Sequence, residues 1–217
     1  GELWYDSTNK DFKYLYPNVT SSGAWRTANS GNTARNALVG AGTQDASIMF
    51  AGFSNPPAVR YALTESYNGT SWTEVNDMGL ARNGLGGSGK TGDNALGFGG
   101  YVPGTGNVAN TETWNGTNWT EVNDLNLARG ASIGGAGTNN TSALCVGGNA
   151  SPLTAKVEEW NGTNWTEVAD ISAANEGAGA SGTTTAGLNA FGRTAPTTYV
   201  ATAEEWTGAG AAVGAWS

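Results

Sequence analysis

Residues 114–119 read Trp-Asn-Gly-Thr-Asn-Trp, and the same six letters return at 160–165. A variant, Tyr-Asn-Gly-Thr-Ser-Trp, occupies 67–72, so the three copies begin 47 and 46 residues apart. Thr-Glu-Val follows each copy, and each unit then contains an apolar run that ends in small residues, as at 95–100 and 143–148. Self-similarity at a fixed period of this length predicts a repeat architecture.

Each repeat predicts four short β-strands. The candidate strands are short runs bounded by Gly, Asn, Thr and Asp, which favour turns. The Asn-Gly pair after an aromatic strand end predicts a hairpin with a type I′ turn, in which both central residues need positive φ. No 3.6-residue apolar period persists, so no helix is predicted. Four strands per unit at this period predict an all-β fold made of propeller blades.

Two series of aromatic residues count the blades. The first series holds the tryptophan of each predicted outermost strand: Trp25, Trp72, Trp119, Trp165 and Trp216. The second series ends the preceding strand: Tyr67, Trp114, Trp160 and Trp206. Five outer tryptophans favour five blades with an incomplete N-terminal one, while the four full units also fit four blades or part of a larger ring. A tryptophan buries about 150–250 Å², so both series are expected to hold the blades together.

The whole chain, 1–217, is predicted to form one propeller domain. Its first section, 1–32, is expected to contain a hairpin of 3–6 with 11–16 and a partial blade whose outer strand covers 23–28. Four complete blades are expected to follow it, at 33–79, 80–126, 127–172 and 173–217.

The composition predicts a folded chain with many turns. Glycine supplies 34 of the 217 residues, but 10% are aromatic and only 13% are charged, which is unlike a disordered sequence. The net charge of −8 disfavours nucleic-acid and anionic-membrane partners, whose phosphates would repel the protein. No run of 18 apolar residues occurs, so membrane insertion is not predicted.

The order of these features resembles a Kelch repeat, the repeat that also forms the propeller of galactose-oxidase-like proteins. The resemblance consists of four features in order: an apolar strand ending in Gly-Gly, an aromatic strand at 111–114, Trp119 five residues after that strand's last residue, and Arg129 ten residues after Trp119. It covers 23–217 and implies a Kelch-like propeller. The first blade departs from it with Ala51-Gly52, and the fourth blade lacks both the arginine and the glycine pair.

A second, shorter resemblance concerns the origin of the chain. Repeats rich in Asn-Gly-Thr-Asn-Trp and Ala-Gly-Thr resemble those of structural proteins from marine and cyanobacterial phages, and the opening ten residues are similar to segments that precede distal domains of phage fibres. This resemblance implies a role on the surface of a virion.

Catalytic and metal sites are not predicted. The chain has no histidine, so the copper chemistry of galactose oxidase is not carried over, and no cofactor or metal is expected. Cys145 lies in an apolar strand and is expected to be a buried structural thiol. Adjacent carboxylates such as Glu158 and Glu159 point to opposite faces of a strand and cannot form a catalytic pair. A set of loop aspartates is expected to cap turns rather than bind Ca²⁺: Asp77, Asp124 and Asp170.

Arginines at equivalent positions are the first candidate binding residues: Arg35, Arg82 and Arg129. One interpretation is structural, with each arginine bridging to carbonyls or to a carboxylate of a neighbouring blade. The repeated glutamates are candidate partners: Glu65, Glu112, Glu159 and Glu205. The alternative is a ring of cations at one mouth of the axial channel that holds an anionic or sugar ligand.

Tyrosines in the loops between the second and third strands are the remaining candidates. These loops, at 53–62, 101–110, 149–155 and 193–201, differ most between repeats, and recognition usually resides in variable loops on a rigid scaffold. Three of their aromatic residues suit stacking on sugars: Tyr61, Tyr101 and Tyr199.

The favoured function is a non-enzymatic propeller on a phage virion or fibre, which decorates the particle or adheres to host polysaccharide. Its expected partners are other virion proteins, host surface glycan and further copies of the chain within a fibre or capsid. The alternative is a secreted, lectin-like propeller with a shallow glycan site on each blade, whose weak sites gain affinity through multivalency.

Overall fold

A computed structural model describes residues 3–14, 25–130 and 133–208, and within these ranges the protein is all-β with no helix. The strands form antiparallel sheets, and within each sheet they lie side by side in chain order. The predicted all-β class is therefore confirmed, and the repeated four-stranded sheets are compatible with a β-propeller.

Three sheets contain four strands each, and we number them in chain order. Sheet 1 consists of Val39–Thr43, Ala46–Phe50, Thr64–Tyr67 and Trp72–Val75. Sheet 2 consists of Gly86–Thr91, Asn94–Phe98, Thr111–Trp114 and Trp119–Val122. Sheet 3 consists of Gly134–Asn139, Ser142–Val146, Val157–Trp160 and Trp165–Val168. The same residue types stand at matching registers, so the sequence repeat is also a structural repeat.

Sheet 4 contains three strands within the described residues: Gly179–Gly182, Ala186–Ala190 and Ala203–Thr207. Trp216, which was predicted for the fourth strand, lies outside the described residues. At the other end of the chain, Leu3–Asp6 pairs with Asp11–Tyr14 in the expected N-terminal hairpin.

Small hairpins connect the second and third strands of sheets 1, 2 and 4. They pair Phe53–Ser54 with Val59–Arg60, Tyr101–Val102 with Gly106–Asn107, and Arg193–Ala195 with Thr198–Tyr199. Because all three connect the same two strands, they lie at the same end of their sheets. We call this end the hairpin face.

The Asn-Gly turns differ from the predicted type I′ geometry. Four residues, not two, separate the paired aromatics Trp114 and Trp119, and only Gly116 has positive φ, at 91°. The side-chain oxygen of Asn115 accepts from the N–H groups of Thr117 and Asn118, at 2.9 and 2.8 Å. The asparagine side chain thus closes the loop in place of a second left-handed residue, and the hairpin itself is confirmed.

The outer tryptophans join consecutive sheets. The ring of Trp119 lies 4.7 Å from that of Phe50 in sheet 1, and its indole N–H donates to Thr64 over 2.9 Å. Trp165 repeats both contacts, with Phe98 at 4.9 Å and Thr111 at 3.0 Å. The hydrophobic core is therefore divided into layers between the sheets.

The second aromatic series stabilises each sheet internally. Trp114, Trp160 and Trp206 are buried, and each indole N–H donates to a carbonyl in the turn between the first two strands of its own sheet. Tyr67 has the equivalent position in sheet 1 and contacts Trp72 with ring centroids 4.9 Å apart.

Trp25 departs from the predicted series. Residues 25–28 are not in a strand, and the Trp25 side chain is fully exposed, so it does not act as a buried outer tryptophan. The following segment does keep the repeat pattern, since the side-chain amide of Asn29 donates to Thr70 as that of Asn76 does to Thr117. Residues 29–33 therefore form the linker that enters sheet 1, but the predicted strand before it is wrong for 25–28.

Burial distinguishes sheet 4 from the sheets before it. In the second strands of sheets 2 and 3, the last four residues are all buried, because a neighbouring sheet covers each face. In sheet 4 burial alternates along the third strand, so one face is covered and the other is exposed to solvent. The first strands of all four sheets line a common cavity of about 340 Å³, which includes Val39, Gly86, Gly134 and Ala180.

Candidate functional site

The repeated arginines form buried ion pairs with glutamates of their own sheets. Arg35 pairs with Glu65, Arg82 with Glu112 at 3.2 Å, and Arg129 with Glu158 at 2.5 Å. The side chains of Arg82 and Arg129 are completely buried. The ring of cations predicted at the channel mouth is therefore not accessible to a ligand, and the structural interpretation of these arginines describes the geometry better.

The arginines also connect sheets through their backbones. The N–H of Gly52 donates to the carbonyl of Arg82 over 3.0 Å, and Gly100 donates to Arg129 over 2.8 Å. Each arginine thus binds a carboxylate in its own sheet with its side chain and the preceding sheet with its main chain. The prediction that each arginine binds a carboxylate of a neighbouring blade is wrong, because the glutamate lies in the sheet of the arginine's own repeat.

Two of the predicted glutamates are shifted by a single residue. Glu158, not Glu159, pairs with Arg129, and in sheet 4 Glu204, not Glu205, is the buried one of the two adjacent glutamates. Adjacent residues of a strand point to opposite faces, so a shift of one residue exchanges a buried position for an outward one. The signal was present in the sequence, because these glutamates all stand two residues before the second aromatic series.

The carboxylate of Glu65 accepts hydrogen bonds from the N–H groups of Asn32 and Thr33 and from Arg35. Burial by itself would raise the pKa of Glu65, but the N–H of Asn32 and the Arg35 guanidinium outweigh it, so the pKa lies below its usual range. Burial lowers the pKa of Arg82, and Glu112 offsets part of that change. The pairs therefore act as electrostatic connections within the sheets.

Cys145 lies beside one of these pairs. It is fully buried, and burial raises the pKa of its thiol to about 12. The thiol therefore stays protonated at neutral pH and is not an activated nucleophile.

The aspartates of the loops have a capping role where contacts describe them. Asp77 accepts from the N–H of Thr64, and Asp124 accepts from that of Thr111, both over 3.1 Å. Asp170 instead lies 3.9 Å from Lys156. Within the described ranges, no group of three or more acidic, cysteine or histidine side chains could hold a metal ion.

The fourth repeat, which contains sheet 4, has a different arrangement in place of the repeated Arg–Glu ion pair. Asn175 occupies the arginine position, and the carboxylate of Glu204 accepts from the N–H and hydroxyl of Ser172, both at 2.9 Å. A new ion pair joins Glu176 to Arg193, with two contacts of 2.7 and 2.6 Å to the same oxygen. This pair is not predicted from the sequence, because other residue types stand at both positions in the other repeats.

The predicted tyrosines lie on the hairpin face with different exposures. Tyr199 is 78% exposed and Tyr101 is 38% exposed, so both present ring surface to solvent. Tyr61 is half-buried, and its hydroxyl lies 3.0 Å from that of Ser54. Arg60, which the sequence pattern did not single out, lies near them: its guanidinium is 4.3 Å from the ring centroid of Phe53 and 5.6 Å from that of Tyr101. A half-buried cation of sheet 1 and an exposed aromatic ring of sheet 2 therefore meet at this face.

No protein-family model matches the chain, and a search of curated proteins finds no relative. None of the described segments is a helix long and apolar enough to cross a membrane. The resemblance to Kelch repeats and to phage proteins therefore rests on the sequence patterns alone.

Proposed function

We propose that the chain is a non-enzymatic, Kelch-like propeller whose hairpin face binds surface polysaccharide. The proposal rests on one observation, the different locations of the repeated charged residues and of the variable aromatic residues. The repeated Arg–Glu pairs are buried and stabilise the sheets, whereas aromatic side chains that vary between repeats are exposed on the hairpin face. Exposed aromatic rings on a rigid scaffold suit the apolar faces of sugar rings.

A phage virion or fibre is the proposed setting. The repeat style and the opening ten residues support it through their similarity to phage structural and fibre proteins. In this setting the propeller decorates the particle, contacts other virion proteins or further copies of itself, and adheres to the host surface. The secreted, lectin-like alternative shares the same hairpin face and differs in location.

The proposal includes four blades within the described residues. Sheets 1 to 4 support this number, and the exposure of Trp25 argues against counting residues 25–28 as the outer strand of a fifth blade. The five-blade prediction depended on that tryptophan and on Trp216, which lies outside the described residues.

A binding experiment tests the function directly. The purified chain is applied to an array of defined bacterial capsular and lipopolysaccharide oligosaccharides. The Tyr101→Ala/Tyr199→Ala double variant, which lacks two exposed rings of the hairpin face, is tested in parallel. We expect the wild-type protein to bind a subset of the array and the double variant to lose most of that signal. Absence of binding by the wild-type protein would remove the adhesion proposal.

Location needs a separate measurement. Mass spectrometry of purified particles of the encoding phage is expected to detect peptides of this chain in constant ratio to the other virion proteins. Detection only in the cell-free medium, away from particles, would favour the secreted alternative.

A further inference from the structure

An open cavity of about 460 Å³ lies on sheet 4, where the preceding sheets carry their next neighbour. Its lining includes Glu176, Phe191, Gly192, Arg193 and Tyr199. Two of these residues, Phe191 and Tyr199, expose 62% and 78% of their surface. The cavity therefore combines an ion pair, in which only the Glu176 carboxylate is buried, with two accessible aromatic rings.

Phe191 keeps the cavity open. It replaces Gly99 and Gly147 of the preceding repeats, and a Cβ on Gly99 would come within 2.6 Å of the Arg129 carbonyl oxygen of the next sheet. Sheet 1 accommodates one methyl group at this position, Ala51, but a benzyl group is far larger. A further sheet stacked in the same way would therefore collide with Phe191. Phe191 itself has φ of 67°, a conformation that costs energy for a non-glycine residue.

The cavity offers an unused hydrogen-bond acceptor. Both contacts from Arg193 reach the same oxygen of Glu176, Oε1. The other oxygen, Oε2, is buried without a hydrogen-bond partner, and the whole side chain is only 6% exposed, so the carboxylate must rotate toward the cavity to meet a ligand. A buried carboxylate oxygen without a donor is costly, so a ligand hydroxyl that donates to it would be favoured.

The cavity also offers an unused donor. The glycines equivalent to Gly192 donate their N–H groups to the next repeat: Gly52 to Arg82, Gly100 to Arg129, and Gly148 to Asn175. Gly192 has no such acceptor in the part of the chain that the structure describes. A donor and an acceptor thus line the same cavity beside the aromatic rings.

These groups select a neutral, hydroxyl-rich ligand. The Glu176 charge is already balanced by Arg193, so neither a cation nor an anion gains a strong electrostatic advantage. A sugar ring can donate one hydroxyl, accept with another, and stack its apolar face on an aromatic ring. We propose that this cavity is a subsite for a neutral sugar ring, which stacks on Tyr199 and Phe191 and donates a hydroxyl to Oε2 of Glu176. The inference rests on the proposed function and locates it on sheet 4.

The test uses the full chain and a neutral oligosaccharide, the one that gives the strongest signal on the array above. Its affinity is measured by calorimetry for the wild-type protein, Tyr199→Ala, Glu176→Gln and Phe191→Gly. Tyr5→Ala is the matched control, since it removes an exposed tyrosine from the N-terminal hairpin, which is not part of the hairpin face. Thermal unfolding of each variant verifies that it is folded, and Phe191→Gly restores the residue of repeats 2 and 3.

We expect Tyr199→Ala and Phe191→Gly to weaken binding at least tenfold, and Glu176→Gln by about the same factor, with Tyr5→Ala within twofold of wild type. Equal affinity of folded Tyr199→Ala and wild type would overturn the subsite while leaving glycan binding by the hairpin face intact. Failure of the wild-type protein to bind any neutral sugar on an array where it binds acidic ones would also overturn the subsite alone. Failure to bind any glycan would remove both proposals.

Discussion

The indole N–H of Trp119 in sheet 2 donates to the hydroxyl of Thr64 in sheet 1 over 2.9 Å. Trp165 and Thr111 repeat this bond between sheets 3 and 2 at 3.0 Å. A side chain on the last strand of one sheet thus reaches the third strand of the sheet before it. Since a single sheet cannot bury both of its faces, bonds of this kind make the stability of each repeat depend on its neighbour.

Removal of this connection should destabilise the protein. Trp119→Ala deletes both the bond to Thr64 and the ring contact with Phe50, and we expect a loss of about 3 kcal/mol in the free energy of unfolding, because a large cavity opens between two sheets. Urea denaturation followed by circular dichroism measures the loss.

Trp72→Ala is the control for this prediction. Trp72 has the same position in sheet 1, but its indole N–H donates to the Asn29 carbonyl at the surface, over 3.1 Å. We expect Trp72→Ala to cost less than half as much as Trp119→Ala. Equal losses for the two variants would contradict a special role of the contact between sheets.

The Arg129–Glu158 pair should be strongly coupled. Arg129→Met leaves the buried carboxylate of Glu158 without its cation, which typically costs about 3–5 kcal/mol. In Arg129→Met/Glu158→Met the stranded charge is also removed, so the double variant should be more stable than the sum of the single losses predicts. The stability of all four proteins, measured in urea, gives the coupling.

Lys156→Met supplies an exposed comparison for that cycle. Lys156 pairs with Glu167 at the surface, where solvent screens the charges. Its replacement should leave the urea midpoint nearly unchanged. If Lys156→Met lowered the urea midpoint as much as Arg129→Met, burial would not explain the stability lost when the Arg129–Glu158 pair is broken.

Much of the fold was predictable from the sequence, because the repeat fixes strand order and the aromatic residues mark strand ends. The turn type was not, since an asparagine side chain can close a loop without a second left-handed residue, as Asn115 does. The partner of Arg129 required knowing which of two adjacent glutamates faces inward. The Glu176–Arg193 pair could not be predicted from the repeat, because it forms at positions where the fourth repeat differs from the other three.

Cys145 should resist modification in the folded protein. It is fully buried and its pKa is raised to about 12, so little thiolate exists and reagents cannot reach it. Ellman's reagent at pH 8 is expected to label the single cysteine only after addition of denaturant. Labelling of the native protein at the rate of a free thiol would show that the layer between sheets 2 and 3 opens readily.

The pH dependence of stability should reveal the Glu65 pair. The pKa of Glu65 is lowered in the folded protein, because hydrogen bonds from Asn32 and Arg35 outweigh the opposing effect of burial. An acid with a lowered folded pKa stabilises the protein above its unfolded pKa of about 4.3, and that contribution is lost as the pH falls through the folded value. We therefore expect the stability difference between wild type and Glu65→Gln to be full at pH 6 and to shrink below pH 4.

Glu159→Thr should respond to pH in the opposite direction. Burial raises the pKa of Glu159, so its charged form destabilises the folded state at neutral pH, and protonation removes this penalty. The variant, which has the residue found at Thr113 in sheet 2, should be more stable than wild type at pH 7 and lose that advantage as the pH falls through the raised pKa of Glu159 to the unfolded value of about 4.3. Urea titrations at pH 7, 5 and 3 compare both variants. At pH 7 we expect Glu65→Gln to be less stable and Glu159→Thr more stable than wild type, and both differences should shrink in acid. A difference of the same sign for both variants at pH 7 would contradict the lowered pKa of Glu65 or the raised pKa of Glu159.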